Sequence, residues 1–516
     1  MLQIRNLNIV HKKDLHTILE NFSFVLNPGD RAVIIGEEGN GKSTLLKWLA
    51  DPETVEAYAE VTGERICTGE RLGYLPQELS QSDKEKSVYE FFCEEPLFWD
   101  QTPGQLGALA GNLRVTPDFF FWEQRMHTLS GGEKIKAQLA RIWMARPTVL
   151  LLDEPSNDID IETLEWLESM LLKAHQPVLY VSHDETLIEK TANVIIHIEQ
   201  LRRKTVSRYT VAHTSYRAYL RQRSAQLESQ RREAQNERRQ EKRRQEKYQR
   251  LQQKVENAQN AVSRQDPHAG QLLKKKMKAV KSMERRFQRE AAGMTGMPES
   301  EEAIFLKLGQ DVSLPAGKTV LDFRLERLTV RDSAPEISDQ VLAENISLFV
   351  KGGEKICIVG RNGAGKTTLL KKIAEELLSR TDIRACYMPQ DYEELLDMDK
   401  TPVEYLVQTG DREEIARIRT YLGSMKYTAQ EMEHPAAELS GGQKAKILLL
   451  KMNMSGAEVL ILDEPTRNFS PLSGPVIRKA LRDYGGAIIS ISHDRKYIEE
   501  VCGQVYRLTR HGLIKE

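Results

Sequence analysis

Cysteine is scarce in this sequence, and no part of it is apolar for long. The 516 residues include five cysteines, at positions 67, 93, 357, 386 and 502, and none of them forms a CxxC pair. A disulfide framework and a zinc site are therefore not indicated, and the reducing cytoplasm fits best. No apolar run approaches the roughly 18 residues that a membrane-spanning helix needs, and Met1 leads directly into the amphipathic stretch 2–10. These absences exclude integral membrane and secreted proteins.

Net charge is also nearly absent, but the charges are distributed unevenly. The formal net charge is −1 at pH 7, with 29% charged and 40% apolar residues, which is typical of globular domains. Residues 201–290 contain 26 Lys and Arg against 9 Asp and Glu, a local charge of +17, so the remainder carries −18. A cationic segment between acidic flanks favours contact with a polyanion through that segment.

The sequence contains one unit twice, within a length that suggests two to four domains. Four motifs recur in the same order: GEEGNGKST at 36–44 as GRNGAGKTT at 360–368, LSGGE at 129–133 as LSGGQ at 439–443, LLLDEP at 150–155 as LILDEP at 460–465, and VSHD at 181–184 as ISHD at 491–494. The serine of LSGGE or LSGGQ, a motif called here the signature, precedes the glutamate of LLLDEP or LILDEP by 24 residues in both copies. That glutamate precedes the histidine of VSHD or ISHD by 29 residues in both. Four motifs in register indicate an internal duplication.

Short apolar runs indicate buried strands in both copies. They lie at 31–35, 149–152 and 177–182, and again at 355–359, 459–462 and 487–492. The first glycine-rich motif is followed by a helical pattern at 43–50. Strands that alternate with helices predict an α/β fold with a mostly parallel sheet covered on both faces. Functional residues are then expected at the carboxyl ends of the strands.

The segment between the copies predicts a helical hairpin. Residues 215–261 contain neither glycine nor proline and are rich in Arg, Gln, Glu and Lys, which favours a helix. Apolar residues there follow the spacing of a coiled coil, namely Tyr248, Leu251, Val255, Ala258 and Val262. A break at 266–270 precedes a second basic helix, so we place the hairpin tip near 263–270. The predicted domains are 1–202, a linker at 203–315, and 316–516.

The repeated motifs have the chemistry of phosphoryl transfer. In GxxxxGK[ST], glycines let backbone N–H groups surround phosphates, the lysine supplies a positive charge, and the hydroxyl ligates magnesium. The aspartate that ends the LLLD or LILD strand is placed to hold the magnesium shell, and the next glutamate to polarise the attacking water. Helix capping is the alternative role for this acidic pair. A capped surface residue is the alternative for the histidine, which we expect at the γ-phosphate.

These arguments give one set of predicted site residues for each copy. The ATP-binding residues of the first copy are Gly36, Gly39, Gly41, Lys42, Ser43, Thr44, Gln77, Ser130, Gly131 and Gly132. Those of the second copy are Gly360, Gly363, Gly365, Lys366, Thr367, Thr368, Gln390, Ser440, Gly441 and Gly442. The predicted Mg²⁺ ligands are Ser43, Gln77, Asp153, Thr367, Gln390 and Asp463. The predicted catalytic residues are Glu154, Glu464, His183 and His493.

The LSGGE and LSGGQ motifs predict that the two copies share their nucleotides. A serine and two glycines before a helix present backbone donors to an anion, yet each copy already has a phosphate loop. We therefore expect Ser130 to complete the site of Lys366 and Ser440 to complete the site of Lys42. ATP would then hold the two copies together.

Together, the phosphate loop, the glutamine of YLPQ and YMPQ, the LSGGQ motif, the strand with its glutamate, and the histidine resemble the ATP-binding cassette family. Two complete cassettes joined by a basic helical linker are similar to its ABC-F subfamily of ribosome-acting ATPases. The resemblance implies an ATP hydrolase that uses ATP and Mg²⁺ and closes on ATP. It also implies a monomer with cassettes paired within the chain, no membrane partner, and a linker that inserts near the peptidyl-tRNA site of the ribosome.

Departures from the family pattern narrow this expectation. The usual EPTNHLD reads EPSNDID at 154–160, which keeps Asp160, but EPTRNFSPLS at 464–473, where Ser470 replaces the aspartate. The second form resembles that of antibiotic-resistance members, so protection of the ribosome against drugs at the peptidyl transferase centre is favoured over a housekeeping role in translation. No aromatic residue that would stack on adenine stands near positions 10–11 or 330–331.

The basic linker separates the remaining alternatives. A solvated coiled coil that only spaces two domains is the simplest interpretation, but lysines cluster beside the predicted tip. The residues expected to contact ribosomal RNA or tRNA are Arg264, His268, Lys274, Lys275, Lys276, Lys278 and Lys281. A role as the ATPase subunit of a transporter would not explain the positive charge of the linker. A chromosome-associated coiled-coil ATPase divides one cassette across its coil, whereas each copy here is complete.

Overall fold

The computed structural model describes residues 2–13, 15–201, 206–261, 271–272, 274–280, 282–283, 286, 312–330 and 340–516. The chain divides into two compact units, one comprising Met1–Tyr216 with Glu301–Glu516 and the other Arg217–Ser300. The first unit contains both copies of the duplicated sequence, here called the first and the second repeat. The other contains most of the basic segment.

The first repeat alternates strands and helices as its apolar runs predict. Its strands are β1 Leu2–His11, β2 Thr17–Leu26, β3 Arg31–Ile35, β4 Ala59–Ile66, β5 Leu72–Leu75, β6 Val149–Asp153, β7 Val178–Val181, β8 Val194–Leu201 and β9 Val206–Ala212. Its helices are α1 Lys42–Ala50, α2 Pro52–Glu56, α3 Gln81–Glu85, α4 Val88–Cys93, α5 Pro103–Leu113, α6 Gly131–Met144, α7 Ile161–Lys173 and α8 Glu185–Thr191. The three strands predicted at 31–35, 149–152 and 177–182 are confirmed.

The second repeat follows the same order. Its strands are β10 Thr319–Val330, β11 Gln340–Lys351, β12 Lys355–Val359, β13 Ala385–Met388, β14 Val459–Asp463, β15 Ala487–Ile491, β16 Gln504–Thr509 and β17 Gly512–Lys515. In the sequence, the long helix α9, Tyr216–Ala261, stands between the two repeats. The helices of the second repeat are α10 Lys366–Ser379, α11 Pro402–Leu406, α12 Arg412–Ser424, α13 Ala429–Glu433, α14 Gly441–Met454, α15 Gly474–Asp483 and α16 Arg495–Val501.

Each repeat is built on a six-stranded sheet. The strand orders are β5-β6-β7-β3-β8-β9 and β13-β14-β15-β12-β16-β17, and only the last strand of each is antiparallel. Smaller antiparallel sheets, β2-β1-β4 and β10-β11, accompany them. The phosphate loop, the acidic pair and the histidine follow β3, β6 and β7, three neighbours in one sheet. Their carboxyl ends therefore lie together, as parallel pairing requires.

Buried aliphatic side chains fix the helix that follows each phosphate loop. Leu45, Leu46 and Leu49 of α1 belong to one buried cluster with Ile34 of β3 and Leu151 of β6. In the second repeat, α10 packs into the equivalent cluster with β12 and β14. Central strands that are buried on both faces explain why their sequences are continuous apolar runs rather than alternating ones.

The basic segment is helical where it is described. Helix α9 spans 46 residues, as the absence of glycine and proline predicts, and residues 274–280 are also helical. Leu251 is 44% exposed, so the described side chains do not form a fully buried seam there. The predicted tip at 263–270 lies outside the described residues, and the hairpin and the domain limits at 202 and 315 stay predictions.

Candidate active site

Each phosphate loop holds its lysine beneath the backbone that would surround a phosphate. Lys42 Nζ donates to the carbonyls of Gly36 and Glu37, both at 3.0 Å. Lys366 Nζ donates to Gly360 and Arg361 at 2.8 and 3.0 Å. Burial lowers the pKa of both ammonium groups, although the nearby glutamates oppose it. A buried ammonium group whose charge is disfavoured by burial is stabilised when an anion binds beside it.

Glycine is required where each loop turns into its helix. Gly41 and Gly365 have φ of 83° and 89°, the left-handed region that side chains rarely adopt. A Cβ at Gly41 would lie 2.1 Å from Cγ2 of Ile18, and one at Gly365 would lie 2.6 Å from Cδ1 of Leu342. Conformation and space both exclude larger residues, so the predicted glycine pattern has a physical cause here.

The residues that follow the loops fit a magnesium ion. Ser43 Oγ donates to Asp153 Oδ1 at 2.9 Å. The second oxygen of Asp153 and both oxygens of Asp463 are buried without a hydrogen-bond partner among the described residues. Hydroxyl and carboxylate oxygens are the ligands Mg²⁺ prefers, so Ser43 with Asp153, and Thr367 with Asp463, would hold the ion. When bound, Mg²⁺ neutralises charge on the phosphates.

The two predicted catalytic glutamates share an unusual backbone. Glu154 and Glu464 have φ of 51° and 49°, in the left-handed region. Such conformations cost free energy and persist only where surrounding contacts enforce them. Here the N–H of each glutamate donates to the neighbouring strand, to Val181 at 3.1 Å and to Ile491 at 3.0 Å. Both carboxylates thereby face the histidine that follows that strand.

The carboxylates differ in their contact with these histidines. Nε2 of His183 lies 2.9 Å from Glu154, but Nε2 of His493 lies 3.7 Å from Glu464. Burial would raise the pKa of Glu154, but His183 overcomes this and holds the pKa below its ordinary value. Burial raises the pKa of Glu464 to about 8, and Asp463 adds to the rise. Burial, together with Lys366, lowers the pKa of His493 to about 4.

The two signature serines begin helices with reciprocal hydrogen bonds. Ser130 caps α6 by accepting from the N–H of Glu133, whose carboxylate accepts from the N–H of Ser130 at 2.9 Å. Ser440 caps α14 in the same way with Gln443. This capping box fixes the helix N-terminus and its donors in place. The serine hydroxyls face their own cap, so a direct phosphate contact from them stays a prediction.

The structure brings the signature of the first repeat to the phosphate loop of the second. A cavity of about 820 Å³ lies between them, called here the Lys366 site. The predicted residues that line it are Ser130, Gly131, His183, Gly363, Gly365, Lys366, Thr367, Thr368, Gln390, Asp463, Glu464 and His493. A Cβ at Gly131 would lie 1.8 Å from the carbonyl oxygen of Asp158 in the same repeat. Glycine is therefore needed for the signature to lie this close to Asp158.

The reciprocal site, called here the Lys42 site, is closed by protein carboxylates. Glu38 of the phosphate loop accepts a hydrogen bond from the N–H of Gly442 in the opposite signature. Glu37 lies 2.9 Å from Nζ of Lys426. The cavity between Ser440 and this loop is only about 30 Å³, which is room for water rather than a triphosphate. Glu38 therefore takes the helix N-terminus that a phosphate would use.

Several contributing residues were missed by sequence reasoning. Asp158 accepts hydrogen bonds from Asn362 at 2.6 Å and from Gln390 at 3.4 Å, and the Arg467 guanidinium lies 2.9 Å from its carboxylate. In the sequence, Asp158 replaces the histidine of the usual EPTNHLD pattern. This departure is the signal that could have identified it as a site residue. Leu342 lines the Lys366 site, so an aliphatic side chain lies in this cavity. Gln77 is exposed, and a role for it stays a prediction.

We expect Glu38→Asn to open the Lys42 site, because it removes a carboxylate from a helix N-terminus and copies Asn362, the equivalent residue of the second loop. In a Lys366→Ala background, nucleotide affinity should rise about tenfold or more, the value of one charge-assisted hydrogen bond. Equilibrium binding of a fluorescent ATP analogue measures this. Glu64→Asn, an exposed change on β4, is the control, and unchanged affinity in Glu38→Asn would contradict the interpretation.

The basic segment contributes exposed cations. Lys274, Lys275, Lys276 and Lys278 are exposed on the described helical residues, whereas Arg264, His268 and Lys281 lie outside them. No group of three or more metal-ligating His, Cys, Asp or Glu side chains occurs in the described part of the chain. Across these same residues, no helix is both long and apolar enough to cross a membrane.

Comparisons with known proteins agree with this geometry. The family model described as ABC transporter matches residues 19–157 and 343–467, one region in each repeat and together more than half of the chain. The chain is 28% identical to the putative ATP-binding protein YdiF of Bacillus subtilis, over 99% of this chain and 80% of that protein. It is 23% identical to ABC transporter F family member 2 of Arabidopsis thaliana, over 99% and 77%.

A solved structure with the same fold is the archaeal ribosome recycling factor aABCE1, crystallised with the ribosomal stalk protein aP1. It superposes with a TM-score of 0.58 at 17% identity, over 99% of this chain and 90% of that one. Two family matches, two phosphate loops and two signature helices occur in one polypeptide. The chain therefore belongs to the ABC transporter family, as an ATP hydrolase of the ABC-F type with two tandem cassettes.

Proposed function

We propose that this protein is a ribosome-associated ATPase that binds through the basic segment between its cassettes. The observation that carries the proposal is the row of exposed lysines at 274–278 on a helical segment, within a stretch of charge +17. RNA phosphates would displace counterions there. The names of similar proteins support the choice of partner, since one is a ribosome recycling factor and another is described as ribosome-bound.

The finer proposal is protection of the ribosome against antibiotics at the peptidyl transferase centre. Its support is EPTRNFSPLS at 464–473, which resembles the sequence of resistance members. ATP binding at the composite sites closes the repeats and places the hairpin near the peptidyl-site tRNA and ribosomal RNA. Hydrolysis then releases it. In this proposal the protein works in the cytoplasm as a monomer, and the alternative is a housekeeping translation factor.

Cosedimentation tests the coarser proposal. With Glu154→Gln and Glu464→Gln combined and ATP present, closure is not reversed by hydrolysis, so the chain should pellet with ribosomes. Membrane vesicles are the parallel sample, and the same variant without nucleotide is the control. Pelleting with vesicles alone would instead support the ATPase subunit of a transporter and would overturn ribosome binding.

Expression in a susceptible host tests the finer proposal. Growth is measured against lincosamides, pleuromutilins, streptogramins, phenicols and macrolides, with the double glutamine variant as the hydrolysis-deficient control. We expect raised tolerance to at least one class, only with the native chain. If ribosome pelleting occurs but tolerance to every class is unchanged, the housekeeping role replaces the protective one.

A further inference from the structure

Beside the Lys366 site, whose lining includes Asp184 and Asp494, largely buried ion pairs join α7 and α8 of the first repeat to α15 and α16 of the second. Arg478 forms a bidentate ion pair with Glu185. Nη1 and Nη2 of the arginine lie 2.9 Å and 3.2 Å from the two carboxylate oxygens of the glutamate. Arg495 pairs with Glu168. Lys496 lies 2.9 Å from Glu185 and 2.7 Å from Glu189. These contacts form a charged pairing surface between the repeats.

The two main pairs occupy equivalent positions of the duplication. The signature, the acidic pair and the histidine are all offset by 310 residues between repeats. The same offset relates Glu168 to Arg478 and Glu185 to Arg495. Buried aliphatic residues keep this register, because Leu167 corresponds to Ile477 and Leu171 to Leu481, all 3% exposed or less. Each pair therefore joins the position of Glu168 and Arg478 in one repeat to the position of Glu185 and Arg495 in the other.

The sign of the charge is inverted at both positions. The first repeat carries glutamate at each, and the second carries arginine. The residues at a third equivalent position, Lys190 and Glu500, are also opposite in charge. Lys190 pairs with Glu168 within the first repeat at 2.8 Å, and Glu500 pairs with Arg478 within the second at 3.0 Å. Two identical repeats in this arrangement would bring like charges together at both contacts.

Burial makes this arrangement selective. The side chains of Arg478 and Glu185 are only 3% and 5% exposed, so water does not screen them. Burial would lower the pKa of Arg478, but hydrogen bonds and charge from Glu185 and Glu500 hold that pKa above its ordinary value. A buried charge that loses its partner, or meets a like charge, is strongly destabilising.

We propose that this surface is a specificity device: the acidic face of a first repeat accepts only the basic face of a second repeat and rejects another first repeat. The partner is thus a repeat of the opposite kind. Such a surface ensures that each composite site combines the phosphate loop of one repeat with the signature of the other kind of repeat. The unequal Lys366 and Lys42 sites are then the only combinations that form.

Charge reversal in the full chain tests the proposal. Glu168→Arg with Glu185→Arg makes both repeats basic, and Arg478→Glu with Arg495→Glu makes both acidic. Each double reversal should lower ATP hydrolysis by about tenfold or more, because buried like charges then oppose pairing. All four changes restore opposite charges between the repeats, but they also place like charges beside Lys190, Lys496 and Glu500, which contact the native residues. The rescue variant therefore carries Lys190→Glu, Lys496→Gln and Glu500→Lys as well, and it should recover the rate to within about threefold of the native chain, as coupled positions require.

An exposed pair provides the matched control. Glu85→Arg with Arg125→Glu reverses an ion pair within the first repeat whose side chains are 56% and 61% exposed, and it should leave hydrolysis unchanged. Circular dichroism confirms folding of each variant. If a double reversal does not fold, the rescue variant must fold and hydrolyse ATP, because it restores the pairs. Unchanged hydrolysis in either double reversal, or a folded rescue variant without recovery, overturns the proposal.

Discussion

Replacing Glu464 with glutamine is expected to lower ATP hydrolysis by the full chain about 100-fold or more, whereas Glu154→Gln should lower it less than about threefold, as general-base removal from an active and an inactive site predicts. The Lys366 site that contains Glu464 is open, at about 820 Å³. The Lys42 site that contains Glu154 is closed by Glu38. The replacement of the second aspartate by Ser470 predicts unequal sites, and the geometry predicts that the Lys366 site is the more active one.

The protonation of the two carboxyls supports the same order. A general base is most effective when its pKa lies near the working pH. Burial raises the pKa of Glu464 to about 8, whereas His183 opposes burial and holds the pKa of Glu154 low. We therefore assign most of the turnover to Glu464.

Steady-state phosphate release measures the two single variants beside Glu499→Gln, an exposed change on α16 that should have no effect. Nucleotide retained after gel filtration shows whether the double glutamine variant stays bound to ATP. Equal rates for the two single variants would contradict the unequal sites, and unreduced turnover in the double variant would contradict both catalytic assignments.

Replacing Lys274, Lys275, Lys276 and Lys278 together with glutamine is expected to weaken ribosome binding by roughly 100- to 1,000-fold at physiological salt, if each contacts one phosphate. The slope of log affinity against log salt should become shallower by about three to four. These lysines are exposed, so their removal leaves no buried cavity. Binding is measured in the double glutamine background with ATP, over a salt series.

A charge-matched control distinguishes local contact from general attraction. Lys173, Lys400, Lys479 and Lys515 are also exposed, and changing them to glutamine removes the same charge from the two repeats. We expect this control to keep near-native affinity and salt slope. Equal losses in both sets would show that total charge, rather than the basic segment, determines binding.

The sequence predicts the sheet well because its signals are local. Continuous apolar runs identify β3, β6, β12 and β14 to within one residue, since strands buried on both faces tolerate few polar residues. The sequence also predicts that Ser130 of one repeat lies near Lys366 of the other. The reason is that each repeat has two anion-binding motifs, the phosphate loop and the signature, so the signature is free to complete the site of the other repeat. The glycine and lysine positions follow from the space and charge that a phosphate requires.

Contacts between the repeats are harder to predict. Glu38 is one of two acidic residues in a loop motif, and only the position of Gly442 across the interface shows that it occupies the place of an anion. Likewise, Glu168 and Arg495 are 327 residues apart. Their charges appear as ordinary helix-surface residues until the repeats are placed together.

The left-handed backbone at Glu154 and Glu464 has a consequence for heat resistance. Glycine adopts that conformation freely, whereas a side chain there costs about 1 kcal/mol or more. Glycine at position 464, where burial destabilises the native carboxylate, is thus expected to raise the unfolding temperature and to abolish the predicted catalysis. Stability is therefore reduced at a predicted catalytic residue, so the most thermostable version of this chain is not expected to be the most active one.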